Sequence, residues 1–386
     1  MCRHLYNWSL AERIEAYKKE GKTLSAFDQN LKLSALKKEK PWFKGVHSQT
    51  LQNVHKRIEF AYKSFFRRVK EGKAKPGFPK FKKKGKWFSI TYPQFKDKPV
   101  DNHIDIPKLG KVKVVYHRDI PDDAQVKTLT FRKHGDKWFL CFSLVLPHQP
   151  ESKPLSSSKV VGLDLGLVNF IYASDGSTVK VPKHYRKAQK KLKKAQRKLS
   201  KAKKRSKEFF KWLRIVRNLN FKVACRREAF HHKVVDKLLS QYDIICIEDL
   251  NIAGMAQRPK PKIDPSDDKK YLPNGASAKS GLNKSIYDAG WGYFVQKLEY
   301  KALAQGKQIV KVAPHYTSQD CSKCAESGVQ TRIEKSLSTR THVCTECGYV
   351  APRDLNAALN IKRLGMESLG LQANPSLVGT LWVPIP

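Results

Sequence analysis

Two Cys-x-x-Cys pairs, Cys321/Cys324 and Cys344/Cys347, stand nineteen residues apart near the end of a 386-residue chain, and no other feature restricts the local fold so tightly. Tetrahedral zinc takes four thiolates, and two tight knuckles on opposing hairpins deliver them. Protein would then fill every coordination position, so a structural Zn²⁺ is expected that holds a mini-fold together and leaves no opening for substrate. Redox chemistry at one pair is the weaker reading, because one pair does not require the other at this spacing. Cys2, Cys141, Cys225 and Cys246 are isolated, which fits a reducing compartment better than a disulfide framework.

Lys and Arg total 76 against 34 Asp and Glu, a formal charge of +42. Self-repulsion on that scale calls for a polyanionic partner; nucleic acid is the expected one and an anionic membrane surface the minor alternative. No stretch comes near the ~18 uninterrupted apolar residues of a spanning helix. Trp8, Glu12 and Glu15 also interrupt the apolar core that a signal peptide would need. The expectation is a soluble cytoplasmic protein without membrane contact, associated with the nucleoid when bound to DNA and acting as a monomer.

The length allows two to four domains at ~100–200 residues each. Leu51, Val54, Ile58, Tyr62 and Phe65 recur at steps of three and four, so residues 1–75 read as a helical segment. Between Lys63 and Lys86, eleven of twenty-four residues are basic and Phe65, Phe66, Phe78 and Phe81 lie among them. Such rings either stack on bases along a tracked backbone or plug a neighbouring core. Short β-rich runs at Trp87–Tyr92, Val112–Tyr116, Lys127–Phe131 and Trp138–Val145 make residues 76–150 a small antiparallel barrel or sandwich. Residues 151–158, within a polar stretch rich in Pro and Ser, are a linker.

Residues 159–315 form the next domain. The apolar strand beginning at Val160, Phe170–Ser174 and Thr178–Val181 make a meander that turns at Asp175-Gly176. A basic helical insertion at 183–240 follows, with thirteen basic residues among the twenty-two of Arg186–Lys207. Leu192, Leu199, Phe209, Leu213 and Val216 give it a stripe for docking. The apolar run Ile244–Ile247 ends at Glu248-Asp249, and residues 255–282, rich in Pro, Gly, Lys, Asp and Ser, are expected as a mobile loop beside that strand end. Ser285–Gln305 reads as a helix and Gln308–Val312 as a strand. Residues 316–350 are the zinc ribbon, and residues 351–386 a final helix and tail.

Three carboxylates stand where a lone acid is costly: Asp164 inside an apolar strand, Glu248 at the end of another, and Asp354 at the start of the last helix. Burial disfavours an ionised carboxylate and converging acids repel, so a divalent cation is the economical explanation. Mg²⁺ or Mn²⁺ with oxygen ligands fits, and such ions activate water and stabilise a leaving oxygen in phosphodiester hydrolysis. Each acid has a bland alternative. Asp354 could serve only the helix dipole, and Glu248 could be a strand-terminal polar residue. Asp249 and Asp288 are possible helpers.

In order and spacing, these residues resemble the TnpB proteins of bacterial and archaeal insertion sequences, relatives of compact type V CRISPR nucleases. The resemblance rests on Gly77-Phe78-Pro79-Lys80-Phe81-Lys82, Gly162-Leu163-Asp164-Leu165-Gly166, Ile247-Glu248-Asp249-Leu250, Thr317-Ser318-Gln319 before the first knuckle, Cys344-x-x-Cys347-Gly348, and Arg353-Asp354-Leu355-Asn356-Ala357-Ala358. It implies an α+β multidomain protein with a RuvC-type, RNase H-like nuclease core whose acids, here Asp164, Glu248 and Asp354, bind Mg²⁺ and cut DNA. It also implies that a helical recognition segment and a β-barrel wedge hold a guide RNA from the element's end, while RNA–DNA pairing reads the target. The basic helices would hold the heteroduplex, and residues 255–282 would form a lid.

Family members usually begin with a basic β-strand, whereas this sequence opens on Cys2-Arg3-His4-Leu5-Tyr6-Asn7. Pro352 also stands where an acid often does, and Ala325 where Gly often does. The alternatives are an accessory nucleic-acid-binding protein without cleavage and a guide-independent, structure-selective nuclease.

Overall fold

The computed structural model describes residues 1–72, 76–115, 119–147, 154, 158–336 and 338–370. Nearly all of the expected linker at 151–158 and the tail from 371 onward lie outside the described residues. The chain divides into two compact units, Met1–His148 and Gln149–Pro386.

The first unit opens with α1 (Cys2–Glu20), α2 (Ala26–Leu31), α3 (Leu33–Glu39), a 3-10 turn at Pro41–Gly45 and α4 (Ser48–Lys70). Leu51, Val54 and Ile58 of the α4 stripe are buried against Leu5, Leu10 and Phe43, and Tyr62 packs on the edge of that cluster. The basic, aromatic stretch divides its rings. Phe78 meets Tyr62 and Phe65 edge-on, with centroids 5.5 and 5.3 Å apart, and Phe66 also packs on both, yet Phe66, Phe78 and Phe81 all remain exposed. Asn7 fixes the strap to α1, its side chain accepting from Lys82 N (2.7 Å) and donating to Lys82 O (3.0 Å).

Strands β1 (Ser89–Tyr92), β4 (Gln125–His134) and β5 (Lys137–Val145) form an antiparallel sheet in the order β1-β4-β5. A separate hairpin, β2 (His103–Ile106) with β3 (Gly110–Lys113), shares its core through Ile104, Ile106, Val126 and Leu129. The expected barrel is thus, among the described residues, a three-stranded sheet with a packed hairpin. Lys108 and Gly110 take positive φ at the hairpin turn, and β3 begins two residues before the expected Val112. Tyr116, at the end of that expected strand, lies outside the described residues.

The second unit is built on a five-stranded sheet in the order β12-β9-β6-β7-β8. Its strands are β6 (Val160–Asp164), β7 (Asn169–Ala173), β8 (Thr178–Lys180), β9 (Ile244–Glu248) and β12 (Gln308–Val312). β6, β9 and β12 are parallel, β7 runs antiparallel to β6, and β8 runs antiparallel to β7. Between β8 and β9 run α5 (His184–Lys201) and α6 (Lys207–Gln241), a helical hairpin in which Leu192 and Ala195 of α5 are buried.

Both faces of the sheet are covered, which is why its strands read as continuous apolar runs. On one face, Ile245 and Ile247 meet Val235 and Leu239 of α6 together with Phe294 and Leu298 of α9 (Trp291–Ala304). On the other, Ile244, Cys246 and Val310 meet Ile361 of α11 (Arg353–Ser368).

Two expectations change here. After α7 (Ile252–Met255), the segment 255–282 contains a hairpin, β10 (Lys262–Asp264) with β11 (Asp267–Leu272), and then the first half of α8 (Ala276–Ala289). Asp264 closes the turn by accepting from Ser266 N at 3.0 Å, a local bond that loop-like composition conceals. The expected single helix over 285–305 is broken at Gly290 (φ 70°), where a Cβ would lie 2.9 Å from Arg227 Cδ and 3.2 Å from His231 Cε1. The ribbon contributes α10 (Ser322–Glu326), β13 (Thr341–Val343) and β14 (Val350–Pro352), and α11 follows β14 without a gap.

Candidate active site

The parallel register pairs Val160 with Ile244 and Leu163 with Ile247, so the next residues, Asp164 and Glu248, end adjacent strands on one edge of the sheet. Asp354 comes to the same edge from the first turn of α11, and two glycines explain its approach. A Cβ on Gly162 would lie 2.2 Å from Ala358 O and 2.5 Å from Lys362 N; one on Gly365 would lie 2.2 Å from Cys246 Sγ. Only hydrogen at both positions lets α11 lie directly on β6 and β9.

The electrostatics show that Asp164 senses the other two acids. Burial first, then Glu248 and Asp354, push the Asp164 carboxyl up to about 7, against the opposing pull of the Arg353 guanidinium. Glu248 is also raised by burial, although Thr317 Oγ1 donates to its Oε1 at 2.6 Å. The donor set, hard carboxylate oxygens held at an energetic disadvantage, suits a divalent oxygen-seeking cation. Among the described residues the three acids do not bring an oxygen each within 4.8 Å of the others, a mutual spacing that the four cysteines do meet.

Of the two possible helpers, Asp249 is exposed, and its backbone N–H donates to Val312 O at 2.9 Å. Asp288 is buried, and its carboxylate accepts from Tyr185 N (2.7 Å) and Arg186 N (3.1 Å). It therefore caps the start of α5 from α8. A cleft of about 250 Å³ beside Glu248 is lined by Leu165, Asp249, Val295, Gln296 and Lys311.

The four cysteines converge, with Cys321 Sγ 3.7 Å from Cys347 Sγ and Cys324 Sγ 3.6 Å from Cys344 Sγ. Tetrahedral ligands at a Zn–S distance of about 2.3 Å stand ~3.8 Å apart, so the set fits zinc. The first knuckle turns at Cys321–Ala325, where Ala325 N donates to Cys321 O, and the second at Cys344–Gly348, where Gly348 takes φ 69°.

Sequence reasoning gave no role to the residues that tie this ribbon to the carboxylates. Asn356 Nδ2 donates to Asp320 O (2.8 Å) while its Oδ1 accepts from Ser322 N (3.0 Å). One turn later, Asn360 Nδ2 donates to Thr317 O and Asp320 O, both at 2.8 Å. Both asparagines are buried on α11, the helix that begins with Arg353-Asp354. The signal available in sequence was their i, i+4 spacing. Thr317 offered less, since its partner Glu248 is 69 residues away.

Parts of the chain match families of known proteins. Residues 143–258 match the family model described as "Probable transposase" (OrfB IS605), residues 291–361 the "Cas12f1-like, TNB domain", and residues 1–22 a "Helix-turn-helix domain". The chain is similar to the "Putative RNA-guided DNA endonuclease InsQ" of Escherichia coli (strain K12), with 32% identity over 366 residues that cover 94% of this chain and 86% of that protein. It is also similar to the "CRISPR-associated endodeoxyribonuclease Cas12f1" of Sulfoacidibacillus thermotolerans, 25% identical over 244 residues, or 58% of this chain and 50% of that protein. Among solved structures, the Cas12f1 chain of a Cas12f1-sgRNA-target DNA complex matches with a TM-score of 0.50 at 16% identity, covering 94% of this chain and 80% of that one, a likeness of fold.

Proposed function

Because the chain belongs to the TnpB family of insertion-sequence proteins, we propose that it is an RNA-guided DNA endonuclease whose Asp164, Glu248 and Asp354 hold Mg²⁺ or Mn²⁺. The observation that carries this reading is the gathering of the three acids at the C-terminal ends of β6 and β9, where Glu248 and Asp354 help drive Asp164 up to about 7. A divalent cation drawing the acids together would offset that cost. Bound there, divalent ions would activate water and neutralise charge on the phosphodiester during in-line displacement.

The chain's own residues do the remaining work. Asp164 and Glu248, fixed by adjacent strands, and Asp354, fixed by α11, supply the oxygen ligands. Thr317 holds the Glu248 carboxylate in one orientation through its hydroxyl. Arg353 moderates the negative charge around Asp164. A structural Zn²⁺ on Cys321, Cys324, Cys344 and Cys347 would keep the 317–322 loop, and with it Thr317, in place. The lysine-rich faces of α5 and α6 suit the phosphates of a guide RNA–target DNA duplex. On this reading residues 1–75 are a recognition segment and 76–150 a wedge that grip the guide, and residues 255–282 cover the nuclease site.

The test is DNA cleavage by protein co-expressed with its flanking element RNA, with and without Mg²⁺, for the native chain and Asp164→Ala. Mg²⁺-dependent cutting that is lost in the variant supports the proposal. Tight RNA binding with no cutting by either protein would sink it in favour of a binding-only accessory role, and cutting that survives ribonuclease treatment would mean a guide-independent nuclease.

A further inference from the structure

A larger pocket neighbours the cleft beside Glu248. It measures about 590 Å³, lies at the α8–α9 turn and shares Ile252, Gly292 and Gln296 with that cleft as lining residues. It is aromatic and basic: Tyr185, Tyr287 and Tyr293 line it with Lys284 and Arg227. Tyr287 and Tyr293 are 61% and 65% exposed, so two large rings on one pocket present their faces to solvent.

The geometry beneath them is fixed. Gly290, between the two helices, lets Arg227 lie directly under the turn. The Arg227 guanidinium stands 3.8 Å from Asp288, whose carboxylate is already engaged by the α5 backbone. Lys284 is exposed and makes no ion pair among the described residues.

We propose that this pocket takes one unstacked nucleobase of the DNA strand being cut, stacked against Tyr287 and Tyr293, with Lys284 on a neighbouring phosphate. The proposal rests on the nuclease reading above for the identity of the strand. Its logic is independent of that chemistry: exposed aromatic faces with adjacent cations bind single strands without regard to sequence. A base held in a pocket that adjoins the cleft beside Glu248 becomes a register mark, fixing which phosphate reaches the acids. A protein partner would find a patch of rings here but no use for its nearness to a cluster of acids.

The experiment uses full-length protein loaded with its co-expressed RNA and a target strand carrying 2-aminopurine at one position at a time near the cut. In the absence of Mg²⁺, fluorescence should be quenched at one position by the native protein and released by the Tyr287→Ala/Tyr293→Ala pair. The Tyr287→Phe/Tyr293→Phe pair, which keeps the ring faces, should quench like the native chain. With Mg²⁺, the alanine pair should cut roughly ten- to a hundredfold more slowly.

Unchanged quenching in the alanine pair overturns the proposal. So does loss of bound RNA in that pair, which would assign the pocket to the guide instead. Because quenching is read without cutting, a chain that quenches at one position but never cleaves leaves the pocket standing while the nuclease reading fails.

Discussion

Replacing Thr317 by Val removes one hydrogen-bond donor and almost no volume, and it should reach the nuclease chemistry through Glu248. Thr317 Oγ1 donates to Glu248 Oε1 at 2.6 Å from a position only 4% exposed, so valine there leaves Oε1 without that donor. A hydrogen bond to an ionised group contributes about 1.5–3 kcal/mol. At 1.36 kcal/mol per tenfold, that is about ten- to a hundredfold in a rate that needs the ionised, oriented carboxylate.

Glu248 is itself only partly buried, which argues for the lower end, about tenfold near neutral pH. The sign follows from the causes. Burial already raises this carboxyl and the Thr317 bond opposes it, so removing the bond moves the acid limb of the pH–rate profile upward. Guided cleavage measured from pH 6 to 9 should therefore show the largest deficit at low pH and partial recovery at high pH or high Mg²⁺. Thr317→Ser, which keeps the donor, should restore the native profile, and zinc content should stay at the native level in both variants. A valine variant that cuts at the native rate across this range would refute the positioning role.

Asp164→Asn should abolish cutting yet stabilise the protein in the absence of added divalent cation. Folding raises this carboxyl from 3.8 to about 7, so the folded state holds a proton that the unfolded chain has released, and stability falls as pH rises through that interval. Above it the native side chain costs about 2–4 kcal/mol. Thermal unfolding without Mg²⁺ should show the Asn variant melting higher at pH 8 and level with the native chain near pH 4; a lower melting point at pH 8 contradicts the repulsion. Cys321→Ser with Cys324→Ser should lower zinc content, melting temperature and cleavage together, because Asn356 and Asn360 connect the ribbon to the helix bearing Asp354. Normal zinc content in that variant would remove the cysteine assignment.

The parts of this molecule that could be read from sequence are those where one local period determines the answer. Ile244–Ile247 and Val160–Leu163 announce buried strands because both faces of the sheet are covered, and Asp164 stands out for the same reason. The paired cysteines carry their own geometry. What could not be read depends on contacts between distant segments. The parallel pairing of β6 with β9 is a register that neither strand encodes alone. The close seat of α11 needs Gly162 and Gly365 to be empty of side chain at once. The hairpin at 262–272 hides in loop-like composition, and the helix break at Gly290 answers to Arg227 and His231, more than fifty residues earlier.

The two asparagines show where such reasoning can be extended. Asn356 and Asn360 lie one turn apart on the buried face of α11, and amides in that position must find partners, because an unpaired buried polar group costs about 1–3 kcal/mol. Both amide groups of Asn356 and the Nδ2 of Asn360 find them in the backbone of Thr317, Asp320 and Ser322, the turn that enters the first knuckle, while Asn360 Oδ1 accepts no hydrogen bond among the described residues. The same turn carries the hydroxyl that holds Glu248, and the same helix begins with Asp354. On the proposed reading, a zinc ion on the four thiolates would therefore bear on the position of two of the three carboxylates, Glu248 and Asp354, through these hydrogen bonds.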